Sequence, residues 1–530
     1  MEKRIVIAYS FFIILATALL LRIYSLCFNP FLMESASTHS SFRLDVGTTR
    51  AMIYDCNMQR LVSEETKNIA SVIPSKPTLD YLMQISPKET REKLTDRAKT
   101  NMPFLIELPY KNLEYENIFT FEAPNRYSSS QPCPHIIGYL DSNGDGVMGI
   151  ESVYNDFLRE DEEDIFVSYS KLVKPPFFKI NKLNSPIDNP KGIVLTIDKD
   201  IQQIAERAMR GIKRGAGIVM DIKTGELKAV VSKPSFFPNN IENALSKNDG
   251  SLINRAFTPY SVGSSFKLII ALSALEQGLS PKTTFDCAGA MDVDGVNFCC
   301  HYKKGHGPTD MKKAIAWSCN PYFIKLGQQL DIAKTISLAS EFGFGRESRL
   351  CDGIFSKKGI LPTESELKTL PDIANFSFGQ GRLLATPLQI NMMTAIIANN
   401  GEKVFPRLVV GETSDGYSVK NQSQYPNSKK IVNEENAKII KEMMVNAVEN
   451  GSCINAKPRI YKAGGKTASA QTGQYVDGEE IVHAWFTGFY PAEKPKYAIT
   501  ILCEEGMIGG EASAPVFAEI CDKLIAAGKI

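Results

Sequence analysis

Ser264 and Lys267 stand three residues apart in PYSVGSSFKLIIALSALEQGL, a stretch that begins at Pro259. Gly263 and Ser264 end a turn, Ser264 opens an apolar helix, and Gly278 closes it. At i and i+3 the two side chains share one helix face within contact distance. Lys267 is the only cation on a helix otherwise lined by Phe266, Leu268, Ile269, Ile270 and Leu272. Burial disfavours an ammonium group and favours the neutral amine. A neutral lysine beside a hydroxyl activates a serine nucleophile without histidine. The helix N-terminus adds a positive end near the oxyanion that would form. A capping serine with a snorkelling lysine is the bland alternative, and Ser168 with Lys171 has the same spacing in a polar stretch. The apolar frame around Lys267 separates the two pairs.

Two further elements carry polar groups where apolar ones would pack better. In AIAWSCNPYFIKLG, Ser318 and Asn320 interrupt an apolar run. Each buried polar side chain needs a partner or costs about 1–3 kcal/mol, which suits a proton relay and a contact to a substrate amide. Ser246 with Asn248 repeats the pattern, so the tripeptide is weak by itself. In YKAGGKTASAQTG, Lys466, Thr467 and Ser469 follow two glycines and precede the strand-like HAWFTGFYP. An edge strand of this content holds an extended peptide by backbone hydrogen bonds, while Lys466 and the hydroxyls bind a carboxylate. A literal KTG at Lys223 to Gly225 precedes the serine and reads as a hairpin turn.

These elements need a scaffold, and the chain supplies one. A boundary is expected near NSPIDNP, Asn184 to Pro190, where prolines and turn formers cluster. GIVLTID then reads as a strand, and Ile201, Ile204, Ala205, Ala208, Met209 and Ile212 form one buried helix face. AGIVMDI and ELKAVVS flank a hairpin turn, and strands and helices interleave to the C-terminus. From Cys27 to about Pro190 the sequence has short strand-like runs and no long periodic helix. DSNGDG at Asp141 imitates a calcium loop, but its twelfth position is Ser152 where glutamate is required, so a simple turn is expected.

At the N-terminus Lys3 and Arg4 precede a 17-residue apolar run, Ile5 to Leu21, extended beyond Arg22 by Ile23 to Leu26. Its length suits a single membrane crossing with the N-terminus in the cytoplasm and the rest outside; a cleaved signal peptide is the alternative. A net charge of +1 gives no reason to expect nucleic acid. Eleven cysteines exclude a complete disulfide framework. Cys299, Cys300, His301 and His306 match no common zinc spacing, so no metal is expected, and free thiols are preferred over a local bond from Cys287 to Cys299 or Cys300.

Taken in order, with spacings of 54 and 148 residues, the three elements resemble the motif set of penicillin-binding proteins and serine β-lactamases. TIDKDIQQ at Thr196, MDIKTGELKAVVSKPSFFPN at Met220, HG at His306, SFGQGRLLATPLQI at Ser377 and HAWFTGFYPAEKPKYAI at His483 extend the resemblance over roughly residues 190 to 530. RAMIYDCNMQRLV at Arg50 is similar to the opening of the class B N-terminal module, with Ala51, Cys56 and Met58 departing from its pattern, and GIESVYNDFL at Gly149 resembles its close. The space before the boundary is too short for a class A glycosyltransferase domain. A monofunctional class B penicillin-binding protein is expected.

That resemblance implies an α/β (α+β) fold: a transpeptidase domain with an antiparallel sheet flanked by helices over residues 191–530. A β-rich pedestal or dimerisation-like module over 27–190 and an anchor over 1–26 precede it. It implies Ser264 as the acylated serine, Lys267 as its base, Ser318 as proton relay, Asn320 as the substrate amide contact and Lys466 as electrostatic partner of the carboxylate. Thr467 would bind that carboxylate, and the backbone N–H groups of Ser264 and Ser469 would form the oxyanion hole. The expected activity is peptidoglycan D,D-transpeptidation without a cofactor, with β-lactams as acylating inhibitors. Alternatives are a D,D-carboxypeptidase or β-lactamase, or a non-catalytic scaffold or sensor. The implied partners are stem peptides, the plasma membrane, a SEDS-type glycosyltransferase and divisome or elongasome proteins. The third motif departs from the family in reading KTA, with Ala468 where glycine is usual, and altered β-lactam affinity is expected from it.

Overall fold

The structure, a computed structural model, describes residues 2–27, 41–100, 102–170, 177–180, 190–476, 478–506 and 508–530. Lys171 and most of the expected boundary, residues 184–189, lie outside them. Helix α1, Glu2–Cys27, carries a 24-residue span from Lys3 to Leu26 that is long and apolar enough to cross a membrane. Its large apolar side chains are exposed, which suits a lipid environment rather than water.

The chain forms two compact units interleaved in sequence. Unit 1 comprises Met1–Arg50, Ser63–Arg126 and Asp161–Asn189, and unit 2 the remainder. A single cut near residue 190 therefore does not describe the division. The apolar run Met52–Tyr54 pairs in parallel with Gly192–Leu195, which pairs antiparallel with Val409–Thr413. Its backbone groups are thus satisfied inside unit 2. Among its described residues unit 1 contains two three-stranded sheets, one of them with Glu65–Val72 between Phe104–Glu107 and Ile118–Asn125. It also holds helices Lys76–Ile85 and Lys88–Ala98, which the sequence reading missed. Among its described side chains Lys88–Ala98 buries only Leu94, too little to leave a periodic signal.

Unit 2 is built on a five-stranded antiparallel sheet. Its strands are β1 (Gly215–Asp221), β2 (Leu227–Lys233), β3 (Gly464–Val476), β4 (Glu479–Tyr490) and β5 (Tyr497–Cys503), in the spatial order β2-β1-β5-β4-β3. Helices cover both faces, so β1 and β5 read as nearly continuous apolar runs. Neighbouring residues of β4 show the two faces. Thr487 hydrogen-bonds Thr394 at 2.6 Å on one side, whereas Phe486 packs on Phe517 with ring centroids 4.6 Å apart on the other. The first face receives Pro387–Ala398, every residue of which is buried; the second receives Ala514–Ala526. Two features of this sheet matter for chemistry: β3 is an edge strand, and the buried helix α2, Lys267–Glu276, starts beside it.

Candidate active site

Ser264 lies in a 3₁₀ turn, Gly263–Phe266, that leads into α2, rather than in the first turn of the α-helix itself. Gly263 has φ +60° and donates its N–H to Gly379 O at 2.9 Å. A Cβ at Gly263 would stand 3.1 Å from Ala470 Cα and from Ser469 O, so glycine lets the Ser264 turn lie against β3. Trp485 Nε1 donates to Ser261 O at 3.0 Å, fixing the approach to the turn from β4. At the far end of α2, Gly278 at φ +85° and the bond from Leu279 N to Ala274 O close the helix as its sequence requires.

Lys267 is fully buried. Its Nζ donates to Ser318 O at 2.8 Å and to Asn320 Oδ1 at 2.6 Å, and lies 3.3 Å from Ser318 Oγ. Two N–H donors are all that a neutral amine has, and its lone pair is then free to take a proton. Burial, reinforced by the neighbouring Lys466 charge, holds the Lys267 pKa well below its ordinary value. Among the described residues no hydrogen bond joins Lys267 to Ser264; the amine is anchored from the Ser318 side.

Ser318 has φ +54° and opens a short turn into Asn320–Gly327. Lys466 Nζ donates to Ser318 Oγ at 3.0 Å and to Thr467 O at 2.8 Å. It too is fully buried, and burial lowers its pKa. Ser318 Oγ therefore sits between two lysine nitrogens. The Asn320 amide is engaged at both ends, its Nδ2 donating to Cys299 O at 2.9 Å while Oδ1 accepts from Lys267. In this geometry Asn320 holds the Lys267 amine, whereas the sequence predicts a substrate contact for it.

On β3 the Thr467 hydroxyl lies 3.7 Å from Cys453 Sγ, and Ser469, which is exposed, accepts from Gly509 N at 3.2 Å. Ala468 is 2% exposed and pairs with Trp485, so its methyl is packed rather than standing in open groove. The decoys stay apart from this site. Asn248 caps a helix in the left-handed region, and Lys223 sits in the turn between β1 and β2, donating to Asn399 Oδ1 at 2.7 Å. The acidic turn at Asp141 uses Oδ1 to accept from Asn143 N and Asp145 N, a self-contained turn.

A second cluster adjoins the first. Cys287, Cys300, His306 and Cys319 bring their ligand atoms within 4.8 Å of one another. His306 Nδ1 is 3.7 Å from Cys287 Sγ and 3.5 Å from Cys300 Sγ. Tetrahedral zinc with bonds of roughly 2.1–2.3 Å places its ligand atoms about 3.5–3.8 Å apart, and three thiols with one imidazole are a zinc donor set. The cluster fits such an ion. The neighbouring Cys319 thiol lowers the Cys300 pKa, and the Cys300 sulfur raises that of Cys319. The sequence reading considered Cys299, Cys300, His301 and His306; the structure selects only two of these and adds Cys287 and Cys319. The ten cysteines whose side chains are described are all free thiols, so no bond joins Cys287 to Cys299 or Cys300.

The chain is similar to known proteins over most of its length. The family profile described as the penicillin binding protein transpeptidase domain matches residues 215–522. A protein of Acinetobacter baumannii named peptidoglycan D,D-transpeptidase MrdA is 30% identical over 417 residues, which cover 72% of this chain and 61% of that protein. The MrdA of Haemophilus influenzae is 26% identical, with 98% of this chain and 91% of that one covered. The penicillin-binding protein PBP2 of Helicobacter pylori, solved in complex with MreC, superposes with a TM-score of 0.67 at 24% identity, covering 92% of this chain and 100% of that one.

Proposed function

This chain belongs to the class B penicillin-binding proteins, which are serine acyltransferases, and from that membership we propose that it cross-links peptidoglycan by D,D-transpeptidation through a Ser264 acyl-enzyme. The observation that carries the assignment of residues is the convergence of Lys267 and Lys466 on Ser318, with Asn320 holding the Lys267 amine and the Ser264 turn packed against the edge strand β3.

In this reading the penultimate D-Ala carbonyl of a stem peptide lies along β3. Its developing oxyanion is held by the N–H groups of Ser264 and Ser469. Ser264 Oγ attacks as its proton passes to the neutral Lys267 amine. The leaving D-Ala nitrogen collects a proton by way of Ser318, whose hydroxyl bridges the two lysines. Lys466 and Thr467 face the departing carboxylate. An amine from a second stem then enters, and the same relay runs in reverse to form the cross-link. Cys287, Cys300, His306 and Cys319 would hold a zinc ion, which when bound would fix Cys319 and so the turn on either side of it. Helix α1 would anchor the protein as a single span in the plasma membrane with the catalytic unit outside. A SEDS-type glycosyltransferase and elongasome or divisome proteins would be its partners.

The test is product analysis with a stem pentapeptide donor and an amine acceptor. The reading predicts a cross-linked dimer and free D-Ala, both absent with Ser264→Ala. Free tetrapeptide with no dimer would assign a carboxypeptidase instead.

A further inference from the structure

The thiol cluster has a property that neither catalysis nor zinc binding requires. Cys319 is the residue between Ser318 and Asn320, and Cys300 follows Cys299, whose carbonyl holds the Asn320 amide at 2.9 Å. The two sulfurs lie no more than 4.8 Å apart. Both are buried, but the loop between Cys300 and His306 is exposed from His301 to Lys304 and His306 is half-exposed, which gives a small oxidant a way in and gives the loop room to move. Cys299, next in line, is itself exposed.

We propose that Cys300 and Cys319 form a peroxide-sensitive switch on the catalytic turn: oxidised, they join as a disulfide and stop acylation of Ser264. A peroxide takes two electrons from the pair. The S–S bond forms as both S–H bonds break, the O–O bond is cleaved, and two waters leave. Were the two sulfurs held as thiolates by a zinc ion, the same two-electron oxidation would give two hydroxides in place of two waters. A disulfide needs sulfurs about 2.05 Å apart and fixed torsions, so the loop and the turn must shift toward each other. That shift breaks the Asn320–Cys299 bond and moves Asn320 Oδ1 and Ser318 O, the two acceptors that hold the Lys267 amine. Displacing a base by roughly 1 Å lowers rates on the order of a hundredfold. Thiol reduction restores the turn, because sulfur at this oxidation level is recoverable.

The inference rests on Ser264 being the acylated residue. Full-length protein in detergent is exposed to hydrogen peroxide, then labelled with a fluorescent penicillin, with and without dithiothreitol. Parallel samples are digested without reduction and the linked peptides are identified by mass spectrometry. Expected are a Cys300–Cys319 linked peptide, a loss of labelling on the order of a hundredfold in step with it, and recovery on reduction. The linked peptide with labelling unchanged, loss of labelling without it, a Cys287–Cys300 link with Cys319 free, or loss that reduction does not reverse would each overturn the switch. Each variant is scored against its own untreated labelling. Cys300→Ser should be insensitive to peroxide and Cys299→Ser should remain sensitive; the reverse pattern overturns the proposal. The wild-type peptide measurement stands whether or not Cys300→Ser folds. Untreated wild-type protein that fails to label would instead count against the proposed function.

Discussion

The lysine cluster and the thiol cluster share the turn Ser318–Cys319–Asn320, yet they hold it by different means. Lys267 and Lys466 reach it through hydrogen bonds of 2.6–3.0 Å to oxygen acceptors. Those bonds are short, directional and present in the protein alone. Cys287 and Cys300 stand 3.7 and 3.5 Å from His306 Nδ1, where sulfur is a weak donor and acceptor, and the four ligand atoms lie within 4.8 Å of one another. They become a strong constraint only when an ion or a covalent bond joins them. One side of the turn is therefore positioned by the fold and the other by its chemical state. The catalytic geometry should depend steeply on the lysines and conditionally on the thiols.

The sharpest break is Lys267→Ala. If this amine is the base, the rate of penicillin acylation falls on the order of 10²–10⁴-fold, measured by stopped labelling with a fluorescent penicillin. A fall of less than about tenfold would move the base elsewhere. Next is Cys319→Ser, which leaves the lysine hydrogen bonds in place and removes one thiol from the second cluster. Zinc content measured by mass spectrometry of the purified protein should drop severalfold, and acylation about tenfold, the scale seen when a site's supporting contacts are lost. Unchanged metal content would show that the four residues are not a ligand set.

The lysine side also has a pH signature. The folded-state pKa of Lys267 lies below its ordinary 10.5. Between those two values the folded protein holds the amine neutral while the unfolded chain binds a proton. Stability from this group is therefore lost as pH falls through that window, with a slope of up to about 1.4 kcal/mol per pH unit. Denaturant titrations just below pH 10.5 should show that Lys267→Ala flattens the dependence by up to one proton. Acylation should fall further into acid, as the amine loses its lone pair. The smallest effect is expected from Ala468→Gly. Because Ala468 is packed against β4, its replacement should change acylation only a few-fold and weaken the strand by roughly 0.5–1 kcal/mol. Identical acylation rates would remove any role for Ala468 in β-lactam affinity.

The same contrast explains what could be read without coordinates. Ser264 and Lys267 share one local segment, and their apolar frame is visible because every position from Lys267 to Leu275 is buried. The edge strand at Lys466 was legible because two glycines precede it and an apolar strand follows. Cys287 ends a strand, Cys300 and His306 lie in the loop after another, and Cys319 sits in a turn, and no local period links them. Cys319 was hidden in plain view, since its neighbours already accounted for the motif. The role of Asn320 in holding Lys267 was likewise invisible, because the bond depends on how the Ser318 turn, in the left-handed region, meets α2. In unit 1, the helix Lys88–Ala98 went unseen because a single buried leucine carries its contact with the core.

The most direct test of the account is peptide mapping of the protein after reaction with penicillin. One adduct is predicted, on the peptide that carries Ser264, and none in Ser264→Ala. An adduct on another serine, or adduct formation that survives Ser264→Ala, would contradict the assignment on which every other role depends.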